Sequence, residues 1–252
     1  MVATGKVDFS ISQQEQVTTA RLNNLPIVSL AAIIQHNTSG FASLKGKNIN
    51  TAKDFEGKVY GGRGFQSETA VLASLMQKEK ADFKKIRIIN IGGADPLASL
   101  SKDIDLTWIY YGWTGIQAEI RKQELNMIWL KDIDPALDYY TQVFITSEKM
   151  IREKPDTVRK VMNAVSKGYA FSVQNPAQAA EILIKHAPKS DPEIIRKSQL
   201  WLSLQYQADA PRWGEQKESV WKGYARWMYD NKLITKMIDP DKAYTNEFLP
   251  GK

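Results

Sequence analysis

The chain has 252 residues, enough for one large domain or two lobes with cores of their own, and its 34 lysines and arginines outnumber 28 acids to leave a net charge of +6. Those basic residues are scattered and never alternate with aromatics in one run, which argues against a nucleic-acid groove. The absence of cysteine excludes disulfides, thiolate metal sites and cysteine nucleophiles, and two distant histidines with no HExxH or EF-hand loop argue against a metal centre.

No apolar run approaches the roughly 18 residues of a membrane-spanning helix, and no signal peptide is read ahead of Val2. Val7–Ile11 alternates apolar and polar residues and predicts a half-buried strand. Gln13–Asn23 reads as a short helix ending before Pro26. Ile27–Ile34 is almost continuously apolar, as a strand covered on both faces should be. A polar loop, Gln35–Gly40, follows, and Lys45–Asp54 is a connector that could bound a lobe. Lys58–Tyr60 predicts a strand running into Gly61, Gly62 and Gly64, after which a helix over 67–80 lays Val71, Leu72, Leu75 and Met76 on one face. Ser67 or Glu68 can cap that helix.

Further strands are expected at Ile86–Asn90, Asp105–Ile109, Asn126–Leu130 and Gln142–Thr146, with helices opening near Asp95–Pro96 and over Gly115–Lys122. The rest reads as helices over Asp156–Gln174, Gln178–His186, Pro192–Leu204 and Gln216–Leu233. In the last of these, Val220, Trp221, Tyr224, Trp227 and Met228 form one apolar face, so its tryptophans read as packing. Strands alternating with helices give an α/β fold in two lobes around a cleft. The first lobe is expected from 1–44 with most of 146–252 (a return strand and helical tail), and the second from 45–145.

Two stretches carry the chemistry. A glycine turn between a strand and a helix is either a plain link or a place where backbone N–H groups meet a polar ligand. This one is neither a dinucleotide fingerprint nor a P-loop, since Ser67 stands where a third glycine belongs and no Gly-Lys-Ser/Thr follows. Trp108–Gln117 (WIYYGWTGIQ) is either an aromatic core or a platform for a flat ligand, and Gly112, unusual in a core strand, favours the platform. Trp113 and Gln117 share a helical face. His36 alone reads as a surface or cap residue, and no nucleophile–base pair can be assembled, so the residues offer binding geometry without a catalytic set.

GKVDFSIS, PIVSLAAIIQHNTSGFAS, DFEGKVYGGRGFQSE, DLTWIYYGWTGIQAE and the tail through YTNEFLP resemble solute-binding proteins of the NMT/THI type, within the wider taurine/nitrate/sulfonate-binding group of ABC importers. The likeness covers nearly the whole chain. QHNTSGFAS, YYGWTGIQ and YTNEFL are most similar to the branch that delivers a formylated aminopyrimidine precursor of thiamine. The resemblance implies a type II periplasmic-binding fold, capture of a small heteroaromatic by lobe closure, a membrane permease as partner, an extracytoplasmic location, no cofactor and no catalysis. It puts Gln13, Gln14, His36, Asn37, Gly61, Gly62, Gly64, Phe65, Ser67, Glu68, Tyr110, Tyr111, Trp113 and Gln117 around the cleft. In that scheme Tyr110–Trp113 stack on the ring, the glycine turn and Ser67 hold a polar substituent, and Gln13, Asn37 or Gln117 read the ring edge.

Relatives often carry a glutamate where Thr114 stands, so a carboxylate for the ligand would come from Glu15, Glu68 or Glu119. An anionic solute such as a sulfonate, held near Gly64–Glu68 and Arg63, is the alternative ligand. Fungal members of the superfamily synthesise the thiamine pyrimidine with a cysteine-rich motif, which a chain without cysteine lacks. Relatives also carry a secretion signal and a strand–helix–strand unit ahead of GKVDFSIS. The expectation is therefore an incomplete first lobe, with Val7–Ile11 as an open edge prone to self-association.

Overall fold

The computed structural model describes residues 1–251. In chain order the strands are β1 (Ser10–Ser12), β2 (Ile27–Ala32), β3 (Ser39–Leu44), β4 (Val59–Gly62), β5 (Arg87–Asn90), β6 (Leu106–Tyr110), β7 (Leu125–Trp129) and β8 (Val143–Ser147). The helices are α1 (Gln14–Leu22), α2 (Gln66–Lys78), α3 (Pro96–Leu100), α4 (Ile116–Ile120), α5 (Leu130–Ile133), α6 (Glu148–Glu153), α7 (Pro155–Gln174), α8 (Pro176–His186), α9 (Pro192–Tyr206) and α10 (Glu218–Asp230). Short 3-10 turns fill several connections, and a π turn spans Tyr111–Gly115. The chain forms two compact units, one of Met1–Asn37 with the chain from Ala136 onward, the other of Thr38–Pro135.

In the first unit β8 lies between β1 and β2, antiparallel to both. β2 is buried from Val28 onward, because helices cover both its faces. Leu30 and Ala31 join a core with Met150, Val158, Met162 and Trp213, while Ala32 joins a second with Val143, Ile145 and Trp221. A fully buried leucine or methionine among these contributes about 1.5–3 kcal/mol and an alanine about a third of that, which is why the unbroken apolar run of β2 is a reliable strand signal. The apolar stripe of α10 is buried at Trp221, Tyr224, Trp227 and Met228. The strand expected over Val7–Ile11 is displaced. Phe9 stacks on Phe144 at 5.8 Å and Val7 packs on the second core from irregular backbone, while ladder pairing begins at Ser10. The alternation reported packing, not pairing, and Ile11 stays 60% exposed on the edge strand.

In the second unit the strand order is β5-β4-β6-β3-β7. β4 runs parallel to β5 and β6, whereas β3 runs antiparallel to β6 and β7. Val71, Leu72, Leu75 and Met76 of α2 are fully buried. Phe41 meets Phe55 and Tyr60 edge-on at 5.4 and 5.6 Å. β3 corrects two expectations. Its first residues fall within the expected polar loop Gln35–Gly40, and the whole strand precedes the expected lobe boundary after residue 44. The β3 ladder with β6 and β7 puts Ser39–Leu44 inside the second unit, and the β8 ladder with β1 and β2 returns the chain to the first unit from Ala136, not 146. Among the described residues no helix is long and apolar enough to cross a membrane, and no acid–histidine group could hold a metal ion.

Candidate functional site

Because β4 and β6 are parallel neighbours, with Tyr60 opposite Leu106 and Gly61 opposite Thr107, their carboxyl ends lie side by side. From β4 the chain turns through Arg63-Gly64-Phe65 into α2, and from β6 it enters the π turn ahead of α4. Such adjoining strand ends are where open α/β sheets take their ligands.

The glycine turn is not empty backbone. Gly64 has φ +85°, a conformation that favours glycine, and it aims successive N–H groups at one point. The Oε2 atom of Glu68 occupies that point, accepting from the N–H groups of Arg63 (2.9 Å), Gly64 (3.1 Å) and Phe65 (3.3 Å). Gly61 and Gly62, assigned from the sequence to the ligand turn, are the last residues of β4. A Cβ on Gly61 would lie 2.6 Å from Ile104 Cδ1. On Gly62 it would lie 2.6 Å from the Tyr60 ring and 2.8 Å from Glu68 Oε2. Packing, not ligand approach, requires these two glycines.

Around this turn the second unit presents Phe65 (61% exposed), Tyr110 (36%) and Trp113 (46%). Their neighbour Tyr111 is turned the other way. Its ring packs on Trp129 at 5.3 Å, and its hydroxyl donates to Glu119 Oε1. Burial, with that carboxylate, pushes its pKa up to about 12. Tyr111 therefore fastens the π turn and is a poor stacking group. Ser67 and Gln117 are half-buried near the starts of α2 and α4.

The first unit holds the other candidates. Gln14 is fully buried, its amide oxygen accepting from the Tyr140 N–H (2.9 Å) and its NH2 donating to the Val220 carbonyl (3.2 Å). That corrects its expected ligand role, since both ends of the amide tie α1 to its neighbours; Gln13 beside it is half-buried. Asn37 is buried, its side chain donating to the Leu137 carbonyl at 2.7 Å and its N–H to Asp138 Oδ1 at 2.7 Å. His36 sits between two carboxylates, Nδ1 2.6 Å from Asp138 and Nε2 2.9 Å from Asp209, with Lys217 3.8 Å from Asp209. Only the imidazolium can donate to both acids. The bond to Asp138 raises the His36 pKa, burial opposes it, and the charge of Asp138 together with Asp209 leaves the net direction upward; Asp209 is lowered in turn. Asp138 and Asp209 were missed from the sequence, where each is one acid among many and lies over a hundred positions from His36. Of the three carboxylates expected to serve the ligand, Glu15 accepts from the Tyr224 hydroxyl and Glu119 from Tyr111, while Glu68 fills the turn.

Residues 1–179 match the family model described as NMT1/THI5 like. The chain belongs to the NMT1/THI5-like family. Among its relatives, the formylaminopyrimidine-binding protein of Halalkalibacterium halodurans is 19% identical over 98% of this chain and 76% of its own length. A 4-amino-5-hydroxymethyl-2-methylpyrimidine phosphate synthase of Legionella pneumophila is 24% identical over 99% and 78%. The riboflavin-binding protein RibY of Chloroflexus aurantiacus is 24% identical over 98% and 72%. In three dimensions the chain is similar to the periplasmic aliphatic sulphonate-binding protein SsuA of Escherichia coli, with a TM-score of 0.74 at 15% identity over all of this chain and 80% of that one. The fold is thus the α/β periplasmic-binding type, and this NMT1/THI5-like chain carries it with two sheets, one per unit.

Proposed function

We propose that this protein is the solute-binding component of an ABC importer, that it binds a flat, polar heteroaromatic of the formylaminopyrimidine type outside the cytoplasm, and that it passes the ligand to a membrane permease without chemical change. The observation that carries this reading is the rim at the ends of β4 and β6, where the exposed rings of Phe65, Tyr110 and Trp113 flank a turn whose N–H groups are already taken by Glu68. Aromatic faces suit a flat ring, and an accepting carboxylate suits amino groups on its edge. Trp113 and Tyr110 would stack on the ring, with Ser67 and Gln117 meeting its polar substituents.

The formylaminopyrimidine-binding relative and the riboflavin-binding relative both take flat heteroaromatics by name, which supports the same class of ligand. A sulfonate is disfavoured, because the N–H groups that would hold an anion face a carboxylate. Synthesis of the pyrimidine is disfavoured by the lack of any cysteine. The test is a calorimetric panel of formylaminopyrimidine, riboflavin, taurine and alkanesulfonates, with an absorbance scan after adding pyridoxal phosphate. Binding of the aminopyrimidine alone, with no new absorbance band, is expected. Preference for a sulfonate, or a lysine Schiff-base band with turnover, would overturn the reading.

A further inference from the structure

We infer that Glu68 sets ligand specificity at this rim by acting as a built-in anion: it closes the N–H cradle of the glycine turn to sulfonates and carboxylates and offers a fixed acceptor to ligands that bear N–H donors. This rests on the rim being the ligand site, and it names the group that chooses the ligand.

The geometry separates Glu68 from an ordinary helix cap. A glutamate three residues into a helix commonly reaches back to one N–H, that of the cap residue. Here the cap residue is Phe65, and its N–H makes the longest of the three bonds, 3.3 Å. The shortest, 2.9 Å, goes to Arg63, two residues further back. The carboxylate therefore sits over the turn, not over the helix end. It stands where an anionic ligand would stand.

The surroundings are shaped for that carboxylate. Gly62 lacks the Cβ that would come within 2.8 Å of Oε2. Tyr60, the residue before the two strand-end glycines, is 1% exposed, and its ring edges the same gap. No acceptor within hydrogen-bond range takes its hydroxyl proton, and burial pushes its pKa up, with the nearby charge of Glu68 adding to the effect. Oε2 is committed to three donors, whereas Oε1 has no hydrogen bond among the described residues. One oxygen anchors the group and the other is left as the acceptor. Arg63 is itself an exposed cation, so removing the carboxylate would leave three unpaired N–H groups in a turn that carries a positive side chain. The sign of the site turns on one residue.

Two substitutions separate the two parts of the role. Glu68→Gln keeps an amide oxygen to cap the turn but loses the charge. Glu68→Ala empties the turn. By calorimetry, Glu68→Gln is expected to bind formylaminopyrimidine 10- to 100-fold more weakly than the parent and still to ignore alkanesulfonates. Glu68→Ala is expected to gain binding of sulfate and of a short alkanesulfonate, and its melting temperature should rise in sodium sulfate relative to sodium chloride of equal ionic strength, while the parent's does not. The inference is overturned if Glu68→Ala, folded by circular dichroism, responds to sulfate no more than the parent, or if Glu68→Gln binds the aminopyrimidine as tightly as the parent. The sulfate arm needs no pyrimidine, so a parent that ignores aminopyrimidines would sink the proposed function while this arm still decides whether Glu68 excludes anions.

Discussion

Trp113→Ala isolates what the aromatic rim contributes. A tryptophan can bury up to about 250 Å², and with Trp113 46% exposed about 115 Å² remains open to a ligand. A ring covering half of that removes about 60 Å² from water, worth about 1.5 kcal/mol at 25 cal/mol per Å². Ring-on-ring geometry adds about 0.5–1.5 kcal/mol. The total, about 2–3 kcal/mol, corresponds to a dissociation constant raised about 30- to 150-fold. Titration calorimetry with formylaminopyrimidine measures it directly. The buried part of the side chain, about 135 Å², is worth about 3 kcal/mol on the same scale, so the melting temperature should also fall. Circular dichroism at the assay temperature confirms that binding is measured on folded protein. Dissociation constants within threefold of each other, both measured on folded protein, would refute the stacking role.

Two further outcomes follow from the first unit. Gln14→Ala strands the buried Tyr140 N–H, whereas the Val220 carbonyl keeps its place in the α10 ladder, and should cost about 1–3 kcal/mol for the one orphaned group; an unchanged urea midpoint would show that water replaces the glutamine. His36 is raised in the folded state, so its stabilising contribution is complete below its unfolded value of about 6.5 and fades as the pH climbs through the raised folded value. The gap in urea midpoint between the parent and His36→Gln should therefore be widest near pH 5.5 and narrow toward pH 9, and a gap that widens with pH contradicts the double ion pair.

The sequence was most legible where one residue's neighbours along the chain decide its fate. The faces of α2 and α10 and the apolar run of β2 were plain, because burial repeats with the local period of the backbone. β3 was not. Ser39, Gly40 and Ser43 have loop chemistry, and the segment is extended only because β6 and β7 offer ladders on both sides. The site divides in the same way. The position of the glycine turn and the aromatic run could be read, yet the roles within them could not. Glu68 looked like a cap and proved to fill the turn; Tyr111 looked like a stacking group and is bound to Glu119. The clamp on His36 joins residues far apart in sequence and left no signal in it.

The placement of β8 between β1 and β2 also dictates an order of assembly. Emerging from a ribosome, β1 and β2 have no ladder partner until Val143–Ser147 has been made. Thr38–Pro135 is contiguous and complete before then, so it can fold while the flanking strands wait. Its folding replaces a long flexible loop with a fixed span, cutting the entropy lost when β8 closes on strands laid down more than a hundred residues earlier. Asn37 and Leu137, joined by a 2.7 Å hydrogen bond, mark where that closure is fastened. Nascent chains that stop short of β8 should leave Ile27–Ala32 uncovered, and it is at this stage of synthesis, more than in the finished protein, that the most apolar strand of the chain calls for a chaperone.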